Sequence, residues 1–106
     1  MQKSIFIRLL GSSPTIKILD FLLADREFGY SKKEIAESSE ISYNTLNSIW
    51  PYLKNNGIVV KTRKVGKQEM SKLGSESRYV KNMITLFNFL IKSSIEEAKE
   101  SQTIPA

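Results

Sequence analysis

Apolar residues change their spacing along this chain, and each change marks an element. Ile5, Phe6, Leu9 and Leu10 share one side of a helix over 2–10, closed by Gly11. Ser13 then suits an N-cap and Pro14 a first helical position. The helix they open runs to about Asp25. Ile16, Ile18, Leu19, Phe21, Leu22 and Leu23 make it apolar over much of its circumference, so it belongs at the centre of the fold. Phe28-Gly29-Tyr30 breaks the pattern. Ser31 followed by Glu34 is the spacing of a capping box, and Ile35 and Ala36 give the short helix behind it a buried side. After a break over 38–41, Ser42 caps a helix over 43–56 whose Leu46, Ile49, Trp50 and Leu53 fall at i, i+3, i+4 and i+7. Asn55-Asn56-Gly57 ends it.

Beyond Gly57 the period drops to two, predicting strands near 58–63 and 68–73 around a turn at Val65-Gly66. Helical spacing returns near Ser77, with Val80, Met83, Ile84, Phe87, Leu90, Ile91, Ile95 and Ala98 on one stripe. The tail over 101–106 is expected to fray. The fold class is therefore mainly α with a small β-hairpin (α+β). It is read as a single domain over 1–106: an N-terminal segment 1–12, a body 13–73, a C-terminal helix 74–100 and the tail.

Charge adds a location to this outline. The chain carries 16 basic and 11 acidic residues, net +5. Residues 42–72 hold six of the bases against one acid, while the rest of the chain nearly balances. Such a local excess is the electrostatic footprint of polyanion binding. There is no cysteine and no histidine, which excludes disulfides and zinc sites of thiolate or imidazole, and removes the usual nucleophile–base pairs. No spaced cluster of Asp and Glu replaces them. No enzymatic activity, cofactor or metal is expected. Arg8 interrupts the apolar N-terminal stretch, and no apolar run approaches the 18 residues of a membrane span. The expected setting is cytoplasmic, beside the nucleoid, without membrane contact.

With Leu46, Ile49, Trp50 and Leu53 turned to the core, helix 43–56 presents Asn44, Ser48, Pro51 and Asn55, flanked by Asn47, with Tyr43 near the stripe's edge. Short amides and hydroxyls without an acid suit a major groove, and an asparagine can pair with N6 and N7 of adenine. Pro51 deletes the bond to the Asn47 carbonyl and is expected to bend the helix so that 43–48 enter the groove. Arg63, Lys64, Lys67 and Gln68 surround the hairpin tip, with Lys61 and Lys72 further back; these bases suit phosphates or the minor groove. Lys32 and Lys33 could meet the backbone as well. The candidate DNA-binding set is thus Lys32, Lys33, Tyr43, Asn44, Asn47, Ser48, Arg63, Lys64, Lys67 and Gln68. The plainer alternative is a solvated polar face and a charged edge that discourages strand aggregation.

Ser31-x-x-Glu34-Ile35-Ala36, and Leu53-x-x-x-Gly57-Ile58-Val59 leading into the hairpin, in this order and spacing, resemble the winged helix-turn-helix regulators of archaea and bacteria, loosely the ArsR-like group. The resemblance covers roughly 13–73. Ser71 departs from it, since such wings often carry an aromatic there. The resemblance implies a winged helix-turn-helix with a recognition helix at 43–56 and a wing at 61–68. Metal sensing is not carried over, because its ligands are absent. The terminal stripe spans ~28 Å, more than a small domain covers, so a C-terminal dimerisation helix is expected. Its interface would use Ile5, Phe6, Leu9, Val80, Met83, Ile84, Phe87, Leu90 and Ile91. The expected function is sequence-specific binding of double-stranded DNA as a homodimeric transcription regulator. Its alternatives are a partition or chromosome-organising protein, and a winged-helix protein-interaction module, which has no need of the charge over 42–72.

Overall fold

The computed structural model describes residues 4–103. Its elements are α1 (Ile5–Leu10), α2 (Pro14–Ala24), α3 (Lys32–Ser38), α4 (Tyr43–Asn55), β1 (Val59–Val65), β2 (Gln68–Leu73) and α5 (Arg78–Thr103). Each of the first four helices opens on a serine whose hydroxyl accepts a backbone N–H of the first turn: Ser4 from Ile7, Ser13 from Ile16, Ser31 from Glu34, Ser42 from Thr45. A cap of this kind contributes about 1 kcal/mol. At Ser31 the box is complete, because the Glu34 carboxylate accepts the Ser31 N–H in return. α1 follows the Ser4 cap from Ile5, and residues 2 and 3 of the expected helix lie outside the described residues. At the other end α5 continues to Thr103, so the first part of the expected tail is helical, and 104–106 again lie outside.

Two helices stop in the same way. At the end of α4 the Gly57 N–H bonds the Lys54 carbonyl and the Ile58 N–H bonds that of Leu53, with Gly57 at φ +69°. At the end of α3, Glu40 N–H bonds Glu37 and Ile41 N–H bonds Ala36, with Glu40 at φ +58°. Both are Schellman motifs, which need one residue in the left-handed region. Glycine reaches it freely; glutamate must carry a Cβ into it.

β1 and β2 pair antiparallel from Val59↔Leu73 to Val65↔Gln68, with a register shift between Lys61 and Arg63 that leaves Thr62 as a bulge. The turn is Gly66-Lys67, one residue later than the sequence pattern predicts, because β1 stays paired to Val65. Gly66 has φ +63°, the requirement of a two-residue type II′ loop, whose first central position demands glycine. An isolated β-bridge, which the sequence pattern does not signal, joins the hairpin. Tyr30 and Ser71 exchange both backbone hydrogen bonds, each 2.8 Å. Gly29 passes so close that a Cβ there would stand 2.6 Å from Thr62 Oγ1. Small Ser71 is buried beside this crossing, and the aromatic ring near it belongs to Tyr30, whose centroid lies 5.1 Å from that of Phe21.

The core is built on α2, whose Ile18, Leu19, Leu22 and Leu23 pack with Ile35, Leu46, Leu53, Val59 and Leu73. α5 joins it through Val80 and Phe87, and the Phe87 ring meets Phe6 of α1 edge-on at 5.5 Å. Phe6, Val80 and Phe87 are 2%, 0% and 4% exposed within the single chain. The sequence stripe puts them at an interface between copies; instead they fill the chain's own core, with α1 packed across the middle of α5 at Phe87. Leu9, Leu86, Phe89, Ile91 and Ile95 remain exposed. One backbone contact fixes where α5 departs. Gly74 N–H bonds Ile58 O at 2.8 Å, and a Cβ on Gly74 would sit 2.1 Å from the Gly57 carbonyl oxygen. Among the described residues no helix is long and apolar enough to cross a membrane.

Candidate nucleic-acid interface

α4 turns Leu46, Trp50 and Leu53 inward, so Tyr43, Asn44, Ser48, Pro51, Tyr52 and Asn55 are exposed. The helix runs unbroken through Pro51. Trp50 is 8% exposed and belongs to the core, as its place on the apolar stripe predicts. Ser48 spends its hydroxyl proton on the Thr45 carbonyl at 2.7 Å, leaving its oxygen lone pairs outward. Ser42 caps the helix through the Thr45 N–H and also bonds the Thr45 hydroxyl at 2.8 Å. The exposed start of α4 is therefore held rigidly, at a serine cap without a carboxylate.

The hairpin carries Lys61, Arg63, Lys64 and Lys67 on exposed positions, with Lys72 half-buried. Lys61 pairs with the hairpin's one acid, Glu69, at 3.4 Å, with both side chains about half exposed. A pair so exposed adds little to stability, but it takes the negative charge out of play for its neighbours. Arg63, Lys64 and Lys67 have no ion-pair partner among the described residues. The bulge at Thr62 is held by its hydroxyl donating to the Met70 carbonyl at 3.2 Å.

Three elements converge on one cleft of about 360 Å³: Ser31, Lys32 and Lys33 from the start of α3, Tyr43 from the start of α4, and Lys64, Lys67, Gln68 and Glu69 from the hairpin. Six of the ten residues predicted from sequence meet here. Asn44 and Ser48 lie along the exposed face of α4, outside the cleft, and Arg63 lies on the hairpin beyond it. The capping box explains part of the convergence, since it starts α3 at Lys32 and sets its first-turn lysines beside the hairpin tip. Sequence reasoning missed one feature. Lys32 donates to Asn47 Oδ1 at 3.1 Å and its ammonium stands 5.6 Å from the centre of the Trp50 ring. Nothing in the periodicity of either helix signals that contact, because it depends on the angle at which α3 crosses α4.

Solved structures with this arrangement exist. MepR, a transcription regulator of the Staphylococcus aureus multidrug efflux pump MepA, superposes with a TM-score of 0.59 at 15% identity, over 82% of this chain and 62% of that one. A MepR variant bound to an oligodeoxyribonucleotide gives 0.60 at 15%, over 94% and 71%. A homodimeric winged helix-turn-helix DNA-binding domain from Mycobacterium bovis, a possible ArsR-family transcriptional regulator, gives 0.55 at 20%, over 96% and 85%. The fold is a winged helix-turn-helix. α3 and α4 are its helix-turn-helix, and β1 and β2 are its wing. The chain spans about three fifths of the first MepR chain. No protein-family model and no curated sequence relative matches it.

Proposed function

We propose that the chain binds double-stranded DNA in a sequence-specific manner as a homodimeric transcription regulator. The N-terminal half of α4 lies in the major groove, and the wing over 61–68 lies on phosphates and the adjoining minor groove. The observation that carries this reading is the convergence of Lys32, Lys33, Lys64 and Lys67 beside the exposed start of α4, with the wing's only acid already paired to Lys61. A ligand that touches these lysines and the amide face of α4 together must be a polyanion with readable edges, which a nucleic-acid duplex is. The oligonucleotide complex of a MepR variant supports the reading by analogy of fold. Its setting would be the nucleoid.

Phosphate contacts release counterions, so affinity falls steeply as salt rises. Replacing Arg63 and Lys64 with glutamate is expected to weaken duplex binding and to lower the slope of log K against log salt by about 2. Fluorescence anisotropy on a labelled duplex across a salt series measures both. Binding that ignores salt, or a double variant that binds like the wild type, would move the function to protein docking.

Dimerisation rests on separate support. Ile5, Leu9, Phe89 and Leu90 line a groove of about 560 Å³ between α1 and α5. Met83, Ile84, Leu90 and Ile91 are only partly covered or exposed within one chain. A second copy seated there would place two α4 helices for an inverted-repeat site.

A further inference from the structure

Within the basic cleft Lys32 is held on two sides, by the Asn47 amide oxygen at 3.1 Å and by the Trp50 ring at 5.6 Å from its centroid. An ammonium has only donors, so the Asn47 amide must turn its oxygen to Lys32 and its NH2 away. An asparagine free in solvent keeps both ends of its amide for a base. This one has its acceptor end engaged by a cation. The pair therefore offers N–H groups: those on Asn47 Nδ2 and the remaining ones on Lys32 Nζ.

The major-groove edges of the bases distinguish these cases. Adenine shows an acceptor, N7, beside a donor, N6, and is matched by an amide whose oxygen and nitrogen are both free; guanine shows two acceptors, N7 and O6. Bringing the adenine amino group to Asn47 Oδ1 would set it beside an ammonium that already uses that oxygen. Guanine meets donors throughout. We infer that Lys32 is a positioning residue for base reading, fixing the Asn47 amide as a donor and turning its preference from adenine to guanine. The inference rests on the proposed docking of α4 in the major groove.

The contact with Trp50 gives this arrangement its rigidity, because the core ring holds the lysine in place. The test is selection from a pool of randomised duplexes, followed by sequencing of the bound fragments, for the wild type and for Lys32→Met, Lys32→Arg and Asn47→Ala. Met keeps an unbranched stem over Trp50 without a donor; Arg keeps the donor. Asn47→Ala identifies the base position by losing preference there. The wild type and Lys32→Arg are expected to select guanine at that position. Lys32→Met is expected to admit adenine, changing the guanine-to-adenine ratio by about tenfold. A uniform loss of affinity in Lys32→Met with the base preference unchanged would make Lys32 a phosphate contact and overturn the inference. So would adenine in the wild-type site, or an Asn47→Ala variant with unaltered preferences. A wild type that retains no duplex at any salt would instead overturn the DNA-binding reading beneath it.

Discussion

Glu40 and Gly57 hold the same left-handed position at the ends of α3 and α4, and differ by a side chain. A Cβ on Gly57 would touch Ser77 Cβ at an ordinary 3.7 Å, so Gly57→Ala costs only backbone strain, about 1 kcal/mol. Glu40→Gly is expected to return up to about 1 kcal/mol by the same argument. Gly74→Ala is a different case, because its Cβ would stand 2.1 Å from a backbone oxygen and the chain itself must shift. Its expected cost exceeds about 2 kcal/mol. Denaturant unfolding of the three variants checks the order, and a Gly74→Ala milder than Gly57→Ala would contradict it. Tyr30 adds a pH dependence. Its hydroxyl donates to the Asp25 carboxylate, and that bond, then burial, then the charges of Asp25 and Glu34, raise its pKa above the ordinary 10.0. The folded state thus favours the protonated phenol. The stabilisation is complete below pH 10 and lost as pH climbs through the raised value. The unfolding midpoint is expected to fall more steeply with alkali in the wild type than in Tyr30→Phe.

Among the elements, α4 carries the clearest sequence signals and one conflict. Its stripe, its serine cap and its glycine stop all stand where the pattern puts them. Pro51 inside it leaves the Asn47 carbonyl without a helical N–H donor. Pro51→Ala restores that bond and is expected to stabilise the fold by about 1–3 kcal/mol in thermal or chemical unfolding. On the proposal that Pro51 bends residues 43–48 into a groove, the same variant weakens duplex binding. A more stable variant with unchanged affinity would remove Pro51 from the reading. The hairpin is legible as period-two text, which puts its turn one residue earlier than the observed Gly66-Lys67. Period two marks strand residues and is silent on where pairing stops; the positive φ of Gly66 decides that. The isolated bridge at Tyr30 is invisible in the sequence for a related reason. A single bridging residue has no period, and only its pairing with Ser71 of β2 marks it. In the site, residue types were readable from each element alone. The Lys32–Asn47 contact joins two elements, and its existence depends on their crossing.

At the scale of the molecule, α5 divides into a half spent on the core and a half left over. Val80 and Phe87 are buried, while Phe89 is 65% exposed and Ile95 lies further out on the same helix. The sequence stripe shows which residues share a face but not how far the body beneath extends, which is why Phe6, Val80 and Phe87 were expected at an interface. If the uncovered half pairs with a second copy, Phe89→Lys should shift the chain to monomer in sedimentation while leaving its unfolding midpoint within about 0.5 kcal/mol of wild type. Duplex affinity should fall with it. A wild type that sediments as a monomer at micromolar concentration would end the dimer reading. The passage of Gly74 across Gly57 then takes on a mechanical meaning. The helix-turn-helix and the departing helix are joined there main chain to main chain, with no flexible side chain between them. A 26-residue helix is a lever ~39 Å long. A tilt of about 5° at that pivot would move its far end by about 3 Å. The separation of two reading heads would thus be geared to an angle at one pair of glycines.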